Sequence, residues 1–260
     1  MSENILLKDR NIVKLSNTLN VSKYNLSANT IDILHLFLSQ IYSEDQEFKK
    51  YRVMFFEIEK KLGREIDRRT VDRICYELLS NPIRIEEIHN NKKICKLYNW
   101  ASKAIYSPEE KWLELEIHPD LKSYLLQLKK NFTTFDRLKT NNLKSKSAKR
   151  IYMLLKQYAN MKSPILKISV EDLKYILNLD KKYIGDFRSF REKVLKPAQE
   201  EINEKTEIKF KIKEIKIGRK ITNLEFHLIF QKEKKQIHKS GVMEAEEWLQ
   251  KQYNHNQKKD

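Results

Sequence analysis

The stretch DFRSFREKVLKPAQEEINEKTEIKFKIKEIKIGRKITNLEFHLIF, residues 186–230, changes its hydrophobic period once along its length. In its second part, apolar and charged residues alternate over 208–217 and 221–230, with a short Gly-Arg-Lys turn between the two runs. In its first part, apolar residues recur three or four positions apart, at Phe187, Phe190, Val194, Ala198 and Ile202. The pattern predicts a helix that begins near Gly185 or Asp186 and is followed by a β-hairpin.

Two further helices are predicted ahead of this stretch. The first covers residues 147–158, where Ile151, Leu154 and Leu155 lie on one face. The second begins at Ser169, which forms a weak capping box with Asp172, and it runs to Leu179. Three helices followed by a hairpin is the order of a winged-helix domain.

The first half of the chain repeats this order. Gly63 follows the second of its predicted helices and is a suitable C-cap. Residues up to about 23 are expected to be partly extended, and residues 119–129 are expected to be helical. The pattern predicts helices over 27–41, 55–62 and 68–79, and strands over 83–88, 94–98 and 112–117.

The sequence therefore predicts an α+β fold with two tandem winged-helix domains, each a three-helix core with a β-hairpin wing. We assign residues 1–130 to the N-terminal domain, 131–146 to a linker and 147–230 to the C-terminal domain. The linker is placed where NFTTFDRLKTNNLK interrupts the hydrophobic pattern. The polar tail, 231–260, is assigned no function.

Positive charge is concentrated in the second half of the chain. The net charge is +16, and residues 131–260 carry 30 Lys and Arg against 17 Asp and Glu, whereas residues 1–130 carry 22 against 19. An AT-rich coding sequence would enrich lysine throughout, so the asymmetry favours a polyanion-binding face in the second half. Nucleic acid is the first candidate for that polyanion, and an anionic membrane surface is the second.

The sequence lacks the usual signals of several functional classes. The four glycines, at 63, 185, 218 and 241, cannot build a phosphate-binding loop, and the six histidines show no metal-ligand spacing. The two cysteines, at 75 and 95, do not support a disulfide framework, and no apolar run is long enough to span a membrane. We therefore expect a cytoplasmic protein that is not an enzyme, needs no cofactor or metal and does not associate with membranes.

The helix and hairpin of residues 186–230 carry the main candidate DNA contacts. Arg188 and Arg191 can each offer a bidentate fork to guanine or grip a phosphate. The alternative is a solvated helix face. Pro197 either kinks this helix or starts a new one. The other candidates in this half are Lys181, Lys182, Tyr183, Ser189, Lys193, Lys196, Lys216, Arg219 and Lys220.

The equivalent positions in the first half are also basic. Four arginines lie at or near the start of the third predicted helix, and two lysines lie at the hairpin turn; they are Arg64, Arg68, Arg69, Arg73, Lys92 and Lys93. Because this half is nearly neutral overall, a surface that binds a partner protein is as good an interpretation as a DNA contact.

Three segments together resemble one family. They are SYLLQLKKNFTTFDRLKTNNLKSKSAKRIYMLLKQYA at 123–159, FRSFREKVLKPAQEEINEKT at 187–206, and GRKITNLEFHL at 218–228. The chain resembles the iteron-binding plasmid replication initiator proteins, which have tandem winged helices. The resemblance extends from about residue 13 to residue 230, and it is more specific in the middle and C-terminal segments than in the N-terminal domain.

The resemblance implies a non-enzymatic protein that binds direct repeats (iterons) in double-stranded DNA at a plasmid origin. Such a protein promotes melting of nearby AT-rich DNA and recruits the host replication initiator and the replicative helicase. The resemblance also implies main sequence-specific contacts from the C-terminal domain, and secondary DNA contacts and dimerisation from the N-terminal domain. Homodimers in equilibrium with monomers would repress the initiator's own gene and so control copy number. The recognition helix would bear Arg188, Ser189, Arg191 and Lys193.

Two other functions are compatible with the residues. A transcriptional regulator could use the same two modules without any role in initiation, because a fold does not specify a function. A nicking or priming enzyme is the third hypothesis, which the missing catalytic signals disfavour.

Overall fold

The computed structural model describes residues 8, 10–179, 181–183 and 185–229, apart from the side chain of residue 61. The predicted tail at 231–260 and the predicted last residue of the final strand lie outside these residues. In the part of the chain that the structure describes, no helix combines the length and apolar character that crossing a membrane requires.

The first half begins with a strand and continues through the three predicted helices. Ser27 and Asp67 cap two of these helices, by accepting hydrogen bonds from the backbone N–H groups of Thr30 and Thr70. Gly63 ends another with a φ of 68°, as predicted. The elements are β1 (Ile12–Ser16), α1 (Asn17–Asn20), α2 (Ala28–Leu38), β2 (Tyr51–Met54), α3 (Phe55–Leu62) and α4 (Arg68–Ser80).

A hairpin follows α4 and is called the first hairpin below. It consists of β3 (Ile83–His89) and β4 (Lys92–Tyr98), joined by Asn90 and Asn91, whose φ values are 48° and 60°. Two consecutive residues with positive φ form the tight turn that suits the twist of a hairpin, and asparagine tolerates this conformation. The first hairpin is therefore confirmed, with strands slightly longer than predicted.

A three-stranded antiparallel sheet in the first half includes two strands that were not predicted. Its order is β2-β6-β5, where β5 is Ala101–Ser107 and β6 is Trp112–Ile117. The helix predicted over 119–129 ends at Leu125, so the prediction is wrong for its last four residues. A 3₁₀ turn at Pro119–Leu121 leads into the single turn α5 (Lys122–Leu125), and the backbone then becomes extended at Leu126, so that consecutive leucines can both be buried.

The stretch 131–146 is not irregular, in contrast to its prediction. It contains β7 (Phe132–Asp136), which pairs antiparallel with β1, and α6 (Arg137–Asn141). Thr133 and Phe135 are buried on one face of β7. The strand is only five residues long, and its partner lies more than a hundred positions away, so the local pattern did not reveal it. The division into domains remains a prediction.

The second half follows the predicted order, with one added strand, β8. Its three-stranded antiparallel sheet has the order β8-β10-β9, and β9 and β10 form the second hairpin. The elements are α7 (Lys146–Tyr158), β8 (Ile165–Ser169), α8 (Val170–Ile176), α9 (Phe187–Phe190), α10 (Lys196–Lys205), β9 (Lys209–Ile217) and β10 (Lys220–Ile229).

The helices α9 and α10 are joined by a π-helical turn at Arg191–Leu195, and the three segments together are called the composite helix. Pro197 lies in the first turn of α10. Proline cannot donate a backbone hydrogen bond, and a wider turn just ahead of it relieves the clash with the preceding turn. The sequence left open whether Pro197 kinks a helix or starts a new one. The structure places it in the first turn of a new helical segment, α10.

Two neighbouring cations fasten α7 to the first half. The Lys149 ammonium is fully buried and lies 2.5 Å from the Asp32 carboxylate on α2, and it also donates to the Thr140 carbonyl. The Arg64 guanidinium contacts the other oxygen of Asp32 at 2.8 Å. The adjacent Arg150 donates to the Ser22 carbonyl at 2.7 Å. The halves therefore share one polar centre in their common core.

Removal of the Lys149 charge should destabilise the whole chain. We expect Lys149→Met to lower the free energy of unfolding by about 3–5 kcal/mol, because it leaves Asp32 buried with only Arg64 to compensate its charge. Urea denaturation measures the loss. Lys129→Met, at an exposed position, is the control, and a loss no larger than that of the control would contradict the prediction. Asp32→Asn combined with Lys149→Met should recover part of the stability.

His35 gives the stability a defined pH dependence. Burial, together with the positive charges of Lys149, Arg150 and Arg137, holds the pKa of His35 well below its ordinary value of 6.5. Below that pH the unfolded chain binds a proton at His35 that the folded chain does not bind. Stability should therefore fall as the pH drops below about 6.5.

The contribution of His35 is isolated by comparing the native chain with His35→Gln between pH 7.5 and 5. Other groups titrate in both proteins, so their contributions cancel in the difference. The native chain should lose up to about 1.4 kcal/mol more per pH unit than the variant below pH 6.5. Parallel stability curves would show that His35 is protonated in the folded protein.

Candidate nucleic-acid interface

The first turn of the composite helix directs a basic side chain outwards. Asp186 caps this turn by accepting a hydrogen bond of 2.9 Å from the Ser189 backbone N–H, and hydrogen bonds from Ser189 lower the pKa of the Asp186 carboxyl. Phe190 is fully buried and fixes the helix to the core, while Arg188 is exposed. The end of the helix is therefore rigid, and Arg188 is available at its surface.

A groove of 680 Å³ separates this helix end from the tip of the second hairpin. Its lining includes five cationic side chains from three elements, with Glu171 and Asp186 as the acidic members. The sequence predicted four of the five as DNA contacts but did not show that they line one surface. The cations are Lys174, Arg188, Lys216, Arg219 and Lys220.

Arg191 has a different position from Arg188. Its guanidinium makes two hydrogen bonds of 2.5 Å to the Glu214 carboxylate of β9, and this bidentate contact raises the pKa of Arg191. The same guanidinium stacks over the Phe187 ring, 5.0 Å from its centroid. Arg191 therefore fixes the second hairpin to the composite helix. Its predicted contact with a base stays untested, and it would require the Glu214 contact to open.

The remaining predicted cations of this half differ in their exposure and partners. Lys181, Lys182 and Lys193 are exposed. Lys182 lies 5.2 Å from the centroid of the Tyr183 ring, and Tyr183 itself has a positive φ of 59°. Lys196 pairs with Glu192 at 2.9 Å across one helical turn. Such an exposed pair contributes little to stability, so Lys196 can still turn towards an external anion.

The predicted contacts of the first half are also divided. Arg68, Arg69 and Arg73 are exposed at the start of α4, and Lys92 is exposed at the tip of the first hairpin. The other two form ion pairs: Arg64 contacts buried Asp32, and Lys93 lies 2.5 Å from Glu86. The position of Arg64 supports a structural role, because opening its contact would leave Asp32 with less compensation.

The sequence missed a contact that joins the first hairpin to α8. The Tyr175 hydroxyl donates to the Glu86 carboxylate at 2.9 Å, and the Lys23 ammonium lies 4.9 Å from the centroid of the Tyr175 ring. Hydrogen bonds from Lys93, Tyr175 and Arg84 lower the pKa of Glu86 to about 2. These residues come from distant parts of the chain, and no local spacing signals their contact.

Comparisons with known proteins agree with this architecture. The chain is 37% identical over 141 residues to the PI protein of Escherichia coli, a match that covers 48% of this chain and 46% of that protein. The chain thus spans about half the length of this relative. The crystal structure of the Pi initiator protein in complex with iteron DNA superposes with a TM-score of 0.69 at 22% identity, and it covers 87% of this chain and 100% of that one.

That superposition shows the fold and confirms the predicted α+β class.

Two family models match in tandem. The model described as Initiator Replication protein, WH1, matches residues 12–156, and the model described as Initiator Rep protein, WH2, matches residues 169–228. Together they cover most of the residues that the structure describes. With two winged-helix domains in tandem, the chain belongs to the family of initiator replication proteins.

Proposed function

We propose that this protein initiates plasmid replication by binding directly repeated sites, the iterons, in double-stranded origin DNA. The observation that carries the proposal is the groove between the composite helix and the second hairpin, where four exposed cations face a space open to a polyanion. They are Arg188, Lys216, Arg219 and Lys220. The family of the chain supports it, as does the fold shared with an initiator that was crystallised with iteron DNA.

Within the groove, different residues are suited to contact the bases and the phosphates of the DNA. The first turn of a recognition helix reaches base edges in the major groove, and this position belongs to Arg188 and Ser189. The cations at the hairpin tip would contact flanking phosphates, which position a protein without carrying sequence information. Lys181 and Lys182, exposed just before the helix, are suited to the same role.

The N-terminal module has two proposed roles. Arg68, Arg69 and Arg73, exposed at the start of α4, would give a second, weaker DNA contact. The resemblance supports dimerisation through the same module, with dimers that repress the gene and monomers that bind the origin. The proposal also includes recruitment of the host initiator and the replicative helicase. It further includes a cytoplasmic location and the absence of a catalytic step.

A plasmid replication test separates this function from transcriptional regulation alone. A plasmid that carries the gene and its flanking direct repeats should establish itself in a suitable host, because the protein would open the origin. Interruption of the gene should abolish replication, and the intact gene supplied from a second plasmid should restore it. Colony counts and plasmid yield measure the outcome. Replication that survives the interruption would support a regulator without an initiation role.

Replacement of Arg188 tests the reading of bases. Arg188→Ala should cost roughly 1–3 kcal/mol of binding free energy on the repeat and less on random duplex DNA, if the guanidinium contacts a base edge. Fluorescence anisotropy with both duplexes measures the two losses. Lys129→Ala, at an exposed position outside the groove, is the control. Equal losses on both duplexes would instead assign Arg188 to a phosphate.

A further inference from the structure

Both hairpins carry a strongly exposed isoleucine close to the turn. Ile217 in the second hairpin is 68% exposed, and Ile88 in the first is 80% exposed. A single exposed aliphatic side chain is common on protein surfaces and needs no explanation by itself. An exposed isoleucine close to the turn of both hairpins is what calls for a functional account.

In both hairpins the residue opposite the isoleucine on the neighbouring strand is a lysine. Ile217 is the last residue before the turn and lies opposite Lys220, and Ile88 lies opposite Lys93, one pair further from its turn. The sequence pattern indicated only positive charge at the hairpin tips. Each tip in fact combines an aliphatic side chain with a lysine directly across the hairpin.

The surroundings of Ile217 point to an anionic partner. Lys216, Arg219 and Lys220 flank it, all three are exposed, and none forms an ion pair with another residue in the described part of the chain. These three cations also line the groove next to Arg188. Ile217 does not itself line the groove, but it follows Lys216 in the chain and lies opposite Lys220, and both of these residues do. A ligand that extends past the edge of the groove would reach it, and the charge favours a nucleic-acid backbone over a neutral protein surface.

The second hairpin is held firmly enough to insert a side chain. The bidentate contact between Arg191 and Glu214 fixes β9 to the composite helix three residues before Ile217. The Gln199 amide donates to the Phe210 carbonyl at 2.8 Å nearer the base of the same strand. A side chain can separate stacked bases only if its own support does not yield, and these contacts provide that support.

We propose that Ile217 is an aliphatic wedge that enters the minor groove beside the bound repeat and unstacks one base step. Apolar wedges of this kind kink DNA in other minor-groove proteins, and the cost of unstacking is repaid by a larger contact surface. Pyrimidine–purine steps such as TA yield most easily. The inference rests on the proposed binding of duplex DNA and adds where the duplex is first distorted.

The test uses the full chain and duplexes that carry one of the direct repeats flanking the gene. 2-Aminopurine replaces adenine at successive positions on each side of the repeat, because its fluorescence rises when it is unstacked. The native chain should raise the fluorescence severalfold at one flanking step. Ile217→Ala should remove most of that rise at saturating protein concentration, and Ile217→Leu should retain it.

Two matched controls separate the wedge from general effects. Ile105→Ala removes an exposed isoleucine from β5, outside both hairpins, and should leave the fluorescence rise unchanged. Lys220→Ala removes the cation opposite Ile217. It should weaken binding and reduce the salt dependence by about one counterion, while the rise at saturation persists.

The outcomes distinguish the wedge from the proposed function. Failure of the native chain to bind the repeat duplex in anisotropy would overturn the proposed function itself. Binding without a rise at any flanking position would overturn the wedge alone. A rise that Ile217→Ala retains in full would also overturn it, with circular dichroism confirming that the variant is folded.

Discussion

The ion pair between Lys149 and Asp32 is the constraint on which the rest of the structure depends. Burial of two charges costs more than their attraction returns unless hydrogen bonds satisfy both partners. Here the Thr140 carbonyl and the Arg64 guanidinium supply those bonds. Because Lys149 lies on α7 and Asp32 on α2, this requirement fixes α7 to the core of the first half of the chain.

The basic residues of the protein fall into two groups, those that bind acceptors within the protein and those that stay at its surface. Arg64, Lys149, Arg150 and Arg191 are bound to acceptors within the protein and hold its parts together. Cations at the end of the composite helix and at the hairpin tips remain at the surface. Because the internal contacts hold the surface elements in place, the surface cations lie in a preorganised groove. Ile217, beside them, gives this surface an apolar element within a cationic rim.

The sequence predicted the helices and hairpins well where their signals are local. Helical spacing located the composite helix, and alternation located the second hairpin, because both patterns arise within about ten residues. The strands β2, β5, β7 and β8 were missed, and for β1 the sequence predicted only a partly extended segment. Each is short, and β1 and β7 find each other across more than a hundred positions. The sequence Phe-Thr-Thr-Phe-Asp of β7 appeared irregular for that reason.

The sequence by itself determined the family, the order of helices and hairpins, and the concentration of basic residues in the second half. Only the tertiary structure decided which of those basic residues face outwards. Arg188 and Arg191 are three positions apart and chemically identical, yet Arg188 is exposed and Arg191 grips Glu214, which is 23 residues away. The role of a charge depends on the partner that folding brings to it, and a local pattern does not contain that partner.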